Sequence, residues 1–323
     1  MIMQCILTCS EPRHPNEHQK CITYATQPTS SMTADGAQST VAHGTHEVPQ
    51  THNSHGFAGL PLELLLWILS STPTSIIPWN CQRPMPAKYR EQRDILRVLC
   101  QVCRSLRIAL LPMLWENLEA CTIHPTCDNE DDPKFPKLLN EELSDQIKII
   151  TATSPHLSIY VRIVNVAIEP QFAEASLRSL AQCLAFLPNL HTVQIICRTS
   201  GSMIRPKNML APKRKGDERF HAFEQAFAGR CYPSVKRVSL PVEALSAFPC
   251  FPEVLDVHLN QKVFLGFSSF ISAVVHHCAK VESFGWHESA PEWRFAEVIR
   301  TLPNLRRVRC SAVIKSVSMT YIY

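Results

Sequence analysis

An eight-residue pattern recurs five times in the C-terminal half of the chain and constrains its fold more than any other feature. Pro188-Asn-Leu-His-Thr-Val-Gln-Ile195 aligns with Pro233-Ser-Val-Lys-Arg-Val-Ser-Leu240 and Pro252-Glu-Val-Leu-Asp-Val-His-Leu259. Ala279-Lys-Val-Glu-Ser-Phe-Gly-Trp286 and Pro303-Asn-Leu-Arg-Arg-Val-Arg-Cys310 complete the set. The form is P-x-L/V-x-x-V-x-L, with Ala279 once in place of proline. Apolar positions three and then two apart suit a bend that leads into a short strand. The starts lie 45, 19, 27 and 24 residues apart, and the longest interval holds an insertion at 198–216. Tyr160-Val-Arg-Ile-Val-Asn-Val166 reads as a degenerate earlier strand. Amphipathic helices are predicted between the strands, over 173–187, 218–228, 264–278 and 292–302. A helix–bend–strand unit cannot bury its apolar side alone and has to stack on its neighbours. The expectation over 140–323 is an irregular α/β solenoid with a curved parallel sheet along its concave side.

Upstream the pattern is different. Residues 1–56 are rich in Thr, Ser, Gln, His and Pro and hold few large apolar side chains, so a disordered tail is expected there. Order begins with Gly59-Leu-Pro-Leu-Glu-Leu-Leu-Leu-Trp-Ile-Leu69, where Pro61 suits a first helical turn and Glu63 the positive end of the helix dipole. Four prolines over 70–93 mark a long loop. Asp94 is the expected N-cap of a second helix that carries Ile95, Leu99, Val102, Leu106 and Leu110 at helical spacing and stops at Leu111-Pro112. A further turn or two follows at 113–118. The region 57–120 is therefore expected to be three short helices without a strand, and 121–139, with its acidic run Asp128-Asn-Glu-Asp-Asp132, to be a linker.

Composition removes several function classes. Glycine is scarce, 9 of 323 residues, and neither G-x-G-x-x-G nor G-x-x-x-x-G-K-[ST] occurs, which argues against a phosphate-cradling nucleotide site. A formal net charge of +4 demands neither a nucleic acid nor a membrane as partner, and neither is expected. The 14 cysteines are scattered, several inside apolar segments, and read as buried reduced thiols rather than a disulfide scaffold. The apolar start Met1-Ile-Met-Gln-Cys-Ile-Leu7 lacks a basic n-region, and the strongly apolar run over 60–69 is half a membrane span. An intracellular protein of the cytoplasm or nucleus is the expectation.

Few residues are arranged for chemistry. Cys100 and Cys103 have a C-x-x-C spacing but sit inside an amphipathic helix, where a core role fits better. Cys121, His124 and Cys127 form C-x-x-H-x-x-C in a proline-containing loop and are the candidate metal ligands. A closed zinc site needs a fourth ligand, from Asp128 or a distant cysteine, so the preferred reading is no metal and no cofactor. The pairs His43/His46 and His52/His55 read as solvated tail residues, and His276-His277 as a helix end. The basic stretch around Lys213-Arg-Lys215 reads as a solvated loop. No serine stands in a G-x-S-x-G elbow.

The helical region resembles the F-box family. Leu60-Pro61-Leu62-Glu63-Leu64-Leu65-Leu66-Trp67-Ile68-Leu69 is similar to its opening Leu-Pro-x-Glu-(Leu/Ile) motif. Val102-Cys103-Arg104-Ser105-Leu106 and Leu111-Pro112-Met113-Leu114-Trp115 are similar to its second half, although some two dozen residues separate the halves. The downstream spacing, centred near a leucine-rich-repeat length of about 20 to 29 residues, fits the fungal type with degenerate repeats. The resemblance implies an F-box-like three-helix unit followed by a leucine-rich-repeat-like solenoid. It also implies a non-catalytic substrate-recognition subunit of a Skp–cullin–F-box type ubiquitin ligase. The implied partners are a Skp-type adaptor, the cullin ligase core and an unknown protein target. Leu60, Pro61, Leu64, Ile68, Leu99, Val102, Leu106 and Trp115 are the candidate adaptor residues, some for the contact and some for the unit's interior. A ligase-independent solenoid scaffold and a zinc-dependent binding protein are the alternatives. The terminal Val317-Ser-Met-Thr-Tyr-Ile-Tyr323 lacks a polar capping repeat, so either an apolar end or a longer chain is expected.

Overall fold

In each copy of the repeated octet, the structure builds the same local geometry from the same side chains. A computed structural model describes residues 4–9, 61–71, 84–123, 126–127, 132–197, 215–260, 267–287, 292–311 and 317–322. The octet's third residue closes a tight turn onto the carbonyl three positions earlier: Leu190 onto Leu187, Val235 onto Tyr232, Val254 onto Phe251, Val281 onto Cys278 and Leu305 onto Leu302, at 3.2–3.3 Å. Its sixth residue then enters the core, as Val193, Val238, Val257, Phe284 and Val308, each wholly buried. Burying a side chain of this size contributes about 1.5–3 kcal/mol. The octet's asparagines add a tie between neighbours: Asn189 donates to the Ile159 carbonyl at 2.6 Å, and Asn304 to the Ala279 carbonyl at 2.8 Å.

The chain order is β1 (Gln4–Cys9), α1 (Leu62–Ser71), α2 (Glu91–Val102), α3 (Arg104–Glu116), β2 (Asn117–Ala120), α4 (Phe135–Lys148), β3 (Ile163–Ile168), α5 (Ala173–Leu184) and β4 (Thr192–Cys197). Then come α6 (Lys215–Phe227), β5 (Arg237–Leu240), β6 (Asp256–Leu259), α7 (Phe267–His277), β7 (Ser283–His287), α8 (Glu292–Thr301), β8 (Arg307–Ser311) and β9 (Val317–Ile322). Strands β2 to β8 form an open, all-parallel run in which each strand pairs with the next in sequence. At the β8 side, β9 and then β1 add antiparallel.

Strictly sequential pairing moves every crossover in one direction, and one hand of crossover then sends all the helices to one face. The side chains agree. Leu118, Val164, Val193, Val238, Val257, Phe284 and Val308 form one row across the sheet and share a core with Leu143, Leu177, Phe223, Phe270 and Val298 of α4 to α8. The adjacent row on the other face is Glu119, Asn165, Gln194, Ser239, His258, Gly285 and Arg309. One side of the sheet is core and the other is a polar ladder.

Several expectations are corrected. Gln4–Cys9 is strand β1, inside the segment expected to be a disordered tail. Asn117–Ala120 is strand β2, where only helix was expected, because Leu118 and Ala120 alternate inward and complete the sheet edge. The expected linker contains the start of α4, whose Phe135, Leu139, Leu143 and Ile147 recur every four residues and are buried. The second helix begins at Glu91, not at Asp94, after a 3-10 turn over Ala87–Arg90. Asp94 pairs instead with Arg90 and Arg97, at 3.5 and 3.3 Å. That helix breaks at Cys103 rather than at Pro112, which α3 passes through. Cys103 is extended, its Sγ accepts the Leu106 amide at 3.5 Å, and Arg107 Nε donates to the Cys100 carbonyl at 2.9 Å, so both helix ends at the break are capped. Where two octets start only 19 residues apart, a kinked 3-10 segment, Val242–Cys250, replaces the α-helix between β5 and β6 and spans more distance per residue than an α-helix does. Among the described residues no helix is long and apolar enough to cross a membrane.

Candidate partner-binding surfaces

Helices α1 to α3 enclose a small core of Leu69, Leu96, Cys100, Leu106 and Leu110, against which Leu99, Met113 and Leu114 pack. So few large side chains leave the rest of the apolar surface uncovered. In α2, Leu96 and Cys100 turn inward while Ile95, Val98 and Val102 form an outward stripe. Val98 is 61% exposed and Val102 59%; Ile108 of α3 is 66% and Trp67 of α1 68%. Leu64 and Ile68 lie on α1 beside Trp67 and are also exposed. Among the described residues, seven of the 13 exposed large hydrophobic side chains fall on these three helices, so the apolar exposure is concentrated, not scattered.

The candidate adaptor residues therefore divide. Pro61, Leu64, Ile68 and Val102 are at the surface. Leu106 is 6% exposed and belongs to the small core, with Leu99 packed against it. Trp115 packs on the main core under the sheet. Leu60 lies outside the described residues. Sequence reasoning passed over Trp67, Val98 and Ile108, because helical periodicity shows which residues share a face and not which face a neighbour covers.

Helix α2 is joined to the sheet by a polar cluster. Arg90 and Arg93 each contact Glu142 of α4 at 3.0 Å. Arg93 also donates to the Glu119 carbonyl at 2.8 Å, and Gln146 both donates to that carbonyl (2.6 Å) and accepts from the Glu119 amide (3.1 Å). These groups occupy hydrogen-bonding positions of an edge strand that would otherwise be open to another chain. Met85 covers the next positions, accepting from Ile123 at 2.7 Å and donating to Cys121 at 2.8 Å. Burial pushes the Glu119 carboxyl up to about 7; the Arg93 cation opposes the shift and the Glu142 charge adds to it.

Where the repeats' bends lead into the strands, a cleft of about 490 Å³ runs along the N-terminal ends of β4 to β8. His191, Lys236, Leu255, Glu282 and Arg306, each just before a strand, and Arg237, Asp256, Ser283 and Arg307, each first in a strand, line it. Arg237 and Arg309 both reach Asp256, the former at 3.8 Å. Lys236 and Lys280 share Glu253 at 3.5 and 2.6 Å, and the hydrogen bond from Lys280 holds Glu253 below the usual carboxylate value. Burial, with Arg237 and Lys236 close by, holds His191 below the ordinary imidazole value. The positive charge of this cleft at neutral pH is therefore carried by Arg and Lys.

Among the described residues no three His, Cys, Asp or Glu side chains are grouped so as to hold a metal ion. Cys121 and Cys127 are buried, and His124 lies outside the described residues. Burial pushes the thiols of Cys183 and Cys278 up to about 12 and that of Cys250 to about 11, so at neutral pH they are protonated and unreactive. The basic stretch around Lys213 lies outside the described residues. No protein-family model and no curated protein matches the chain, so the functional reading rests on these surfaces.

Proposed function

We propose that the chain is a non-catalytic substrate-recognition subunit of a Skp–cullin–F-box type ubiquitin ligase. Helices α1 to α3 dock on a Skp-type adaptor, and the parallel sheet acts as a leucine-rich-repeat-like solenoid that holds a protein target. The observation that carries this reading is the set of exposed apolar side chains, Ile95, Val98 and Val102 in one stripe on α2 with Trp67 on α1 and Ile108 on α3, carried by a helical unit that bears both halves of an F-box-like motif. Helical faces with large apolar anchors at three- and four-residue spacing are typical protein-docking surfaces. The rate enhancement would come from tethering target and ubiquitin-loaded enzyme together, which raises their effective concentration without side-chain chemistry.

Capture by a purified Skp-type adaptor tests it. Val98→Asp with Val102→Asp places two charges on exposed positions, so capture is expected to fall at least about tenfold while the thermal midpoint stays within a few degrees. Full capture by this folded variant would remove the adaptor reading. Leu106→Asp is the contrasting control: it buries a charge in the small core and is expected to unfold α1 to α3.

A further inference from the structure

We propose that the cleft at the N-terminal ends of β4 to β8 binds a carboxylate-rich peptide segment of the target. This inference rests on reading the sheet as the target-holding surface and names the chemistry of what it holds. The cleft and its rim carry six cations, Lys236, Arg237, Lys280, Arg306, Arg307 and Arg309, against three carboxylates, Glu253, Asp256 and Glu282. Two of those carboxylates each serve two cations: Glu253 serves Lys236 and Lys280, and Asp256 serves Arg237 and Arg309. Glu282 contacts Arg306 at 3.8 Å, and Arg307 has no acidic partner among the described residues. The row is thus short of negative charge by construction, and added carboxylates complete pairs that the chain leaves half made.

A hydrogen-bonding group supports the same conclusion. Ser283 lines the cleft, is more than nine-tenths buried, and its Oγ has no hydrogen-bond partner among the described residues. That oxygen is closed to solvent in the unbound chain, and it donates to a carboxylate or a peptide carbonyl once neighbouring side chains of the lining shift as the peptide seats. A peptide fits better than a nucleic acid for two reasons. Among the described residues no Phe, Tyr or Trp lines the cleft to stack a base, and Asp256 and Glu282 within the lining oppose an unbroken run of phosphates. Side chains spaced along an extended peptide can place carboxylates against Lys236, Arg306 and Arg307 and leave gaps at the resident acids. Pairs of this exposure are individually weak, so affinity comes from several together and falls as salt rises.

The test is fluorescence anisotropy of the full chain with a glycine-flanked, fluorescein-labelled hexaglutamate peptide, alongside the glutamine version and an oligothymidylate of equal charge. Salt-sensitive binding of the glutamate peptide, tighter than either comparator, is the expected result. Arg306→Glu with Arg307→Glu is expected to weaken it at least about tenfold, whereas Arg178→Glu, at an exposed position of α5, leaves it unchanged. Carbodiimide cross-linking of the bound peptide, mapped by mass spectrometry, is expected to label Lys236 or Lys280, and this needs no variant to fold. Equal binding of the glutamine peptide, tighter binding of the oligothymidylate, or cross-links confined to other lysines would each overturn the proposal. No adaptor is present in the assay, so its failure leaves adaptor capture standing and the reverse also holds.

Discussion

At the residue scale, Asn260 repairs a hydrogen-bond gap that Pro241 leaves. In the β4–β5 register the amide of Arg237 bonds the His191 carbonyl, and continuing by twos assigns the Ile195 carbonyl to position 241. Proline has no amide hydrogen to give. The Asn260 side chain, from the end of β6, donates to the Ile195 carbonyl at 2.6 Å and to the Ser239 carbonyl at 3.2 Å. Asn260→Ala leaves the buried Ile195 carbonyl without a donor, whereas the Ser239 carbonyl keeps the Ile195 amide of the ladder, and the change is expected to cost about 1–3 kcal/mol in urea unfolding. A comparable loss with Asn260→Asp, which keeps the shape and loses the donor, would identify the hydrogen bonds as the cause. Gly285 has a steric role instead: a Cβ there would lie 2.5 Å from His258 Nδ1, since the imidazole lies across the glycine. Gly285→Ala is expected to cost about 1–3 kcal/mol, part of it recovered when His258 is also changed to Ala.

At the element scale, the free edge of β2 is closed by side chains from α2 and α4, and that closure has a pH signature. The Glu119 carboxyl sits near 7 in the fold against an ordinary 4.5. The folded state therefore holds its proton more tightly than the unfolded chain. Its contribution is fully present below about pH 4.5 and is lost as pH rises through about 7. Stability is expected to fall by about 1–3 kcal/mol between pH 5 and pH 8 from this group, after allowance for solvent screening, and Glu119→Gln is expected to flatten that slope. Glu142→Ala removes the acid shared by Arg90 and Arg93 and is expected to loosen α2 from the sheet, seen as faster hydrogen exchange in α2 than in α5. This closure was not legible in the sequence. Arg90, Arg93, Glu119, Glu142 and Gln146 are polar residues of ordinary spacing, and only the packing of α4 beside β2 brings them together. Helix α4 itself was legible, through Phe135, Leu139, Leu143 and Ile147, and was obscured by the acidic run just before it.

At the scale of the whole molecule, the parallel run is protected on both sides, by the polar cluster on β2 and by antiparallel β9 and β1 on β8. Truncation after Ser311 uncovers the β8 edge. Each strand of this run pairs only with its neighbours in sequence, so exchange is expected to accelerate first in β8 and β7 and least in β3. Uniform acceleration along the sheet would show instead that the strands open as one cooperative unit. The spacing of the five octets by itself determined the turn, the inward residues and the parallel order of β4 to β8, because these depend on contacts within one unit and with its neighbour in sequence. Four of the crossover helices followed from their 3.6-residue periodicity for the same reason. Tertiary structure alone decided that Leu106 is interior while Val98 is bare, that Asn117–Ala120 joins the sheet, and that cations from successive repeats line one cleft. Each of those outcomes turns on which surface a distant segment covers, and local spacing carries no record of that.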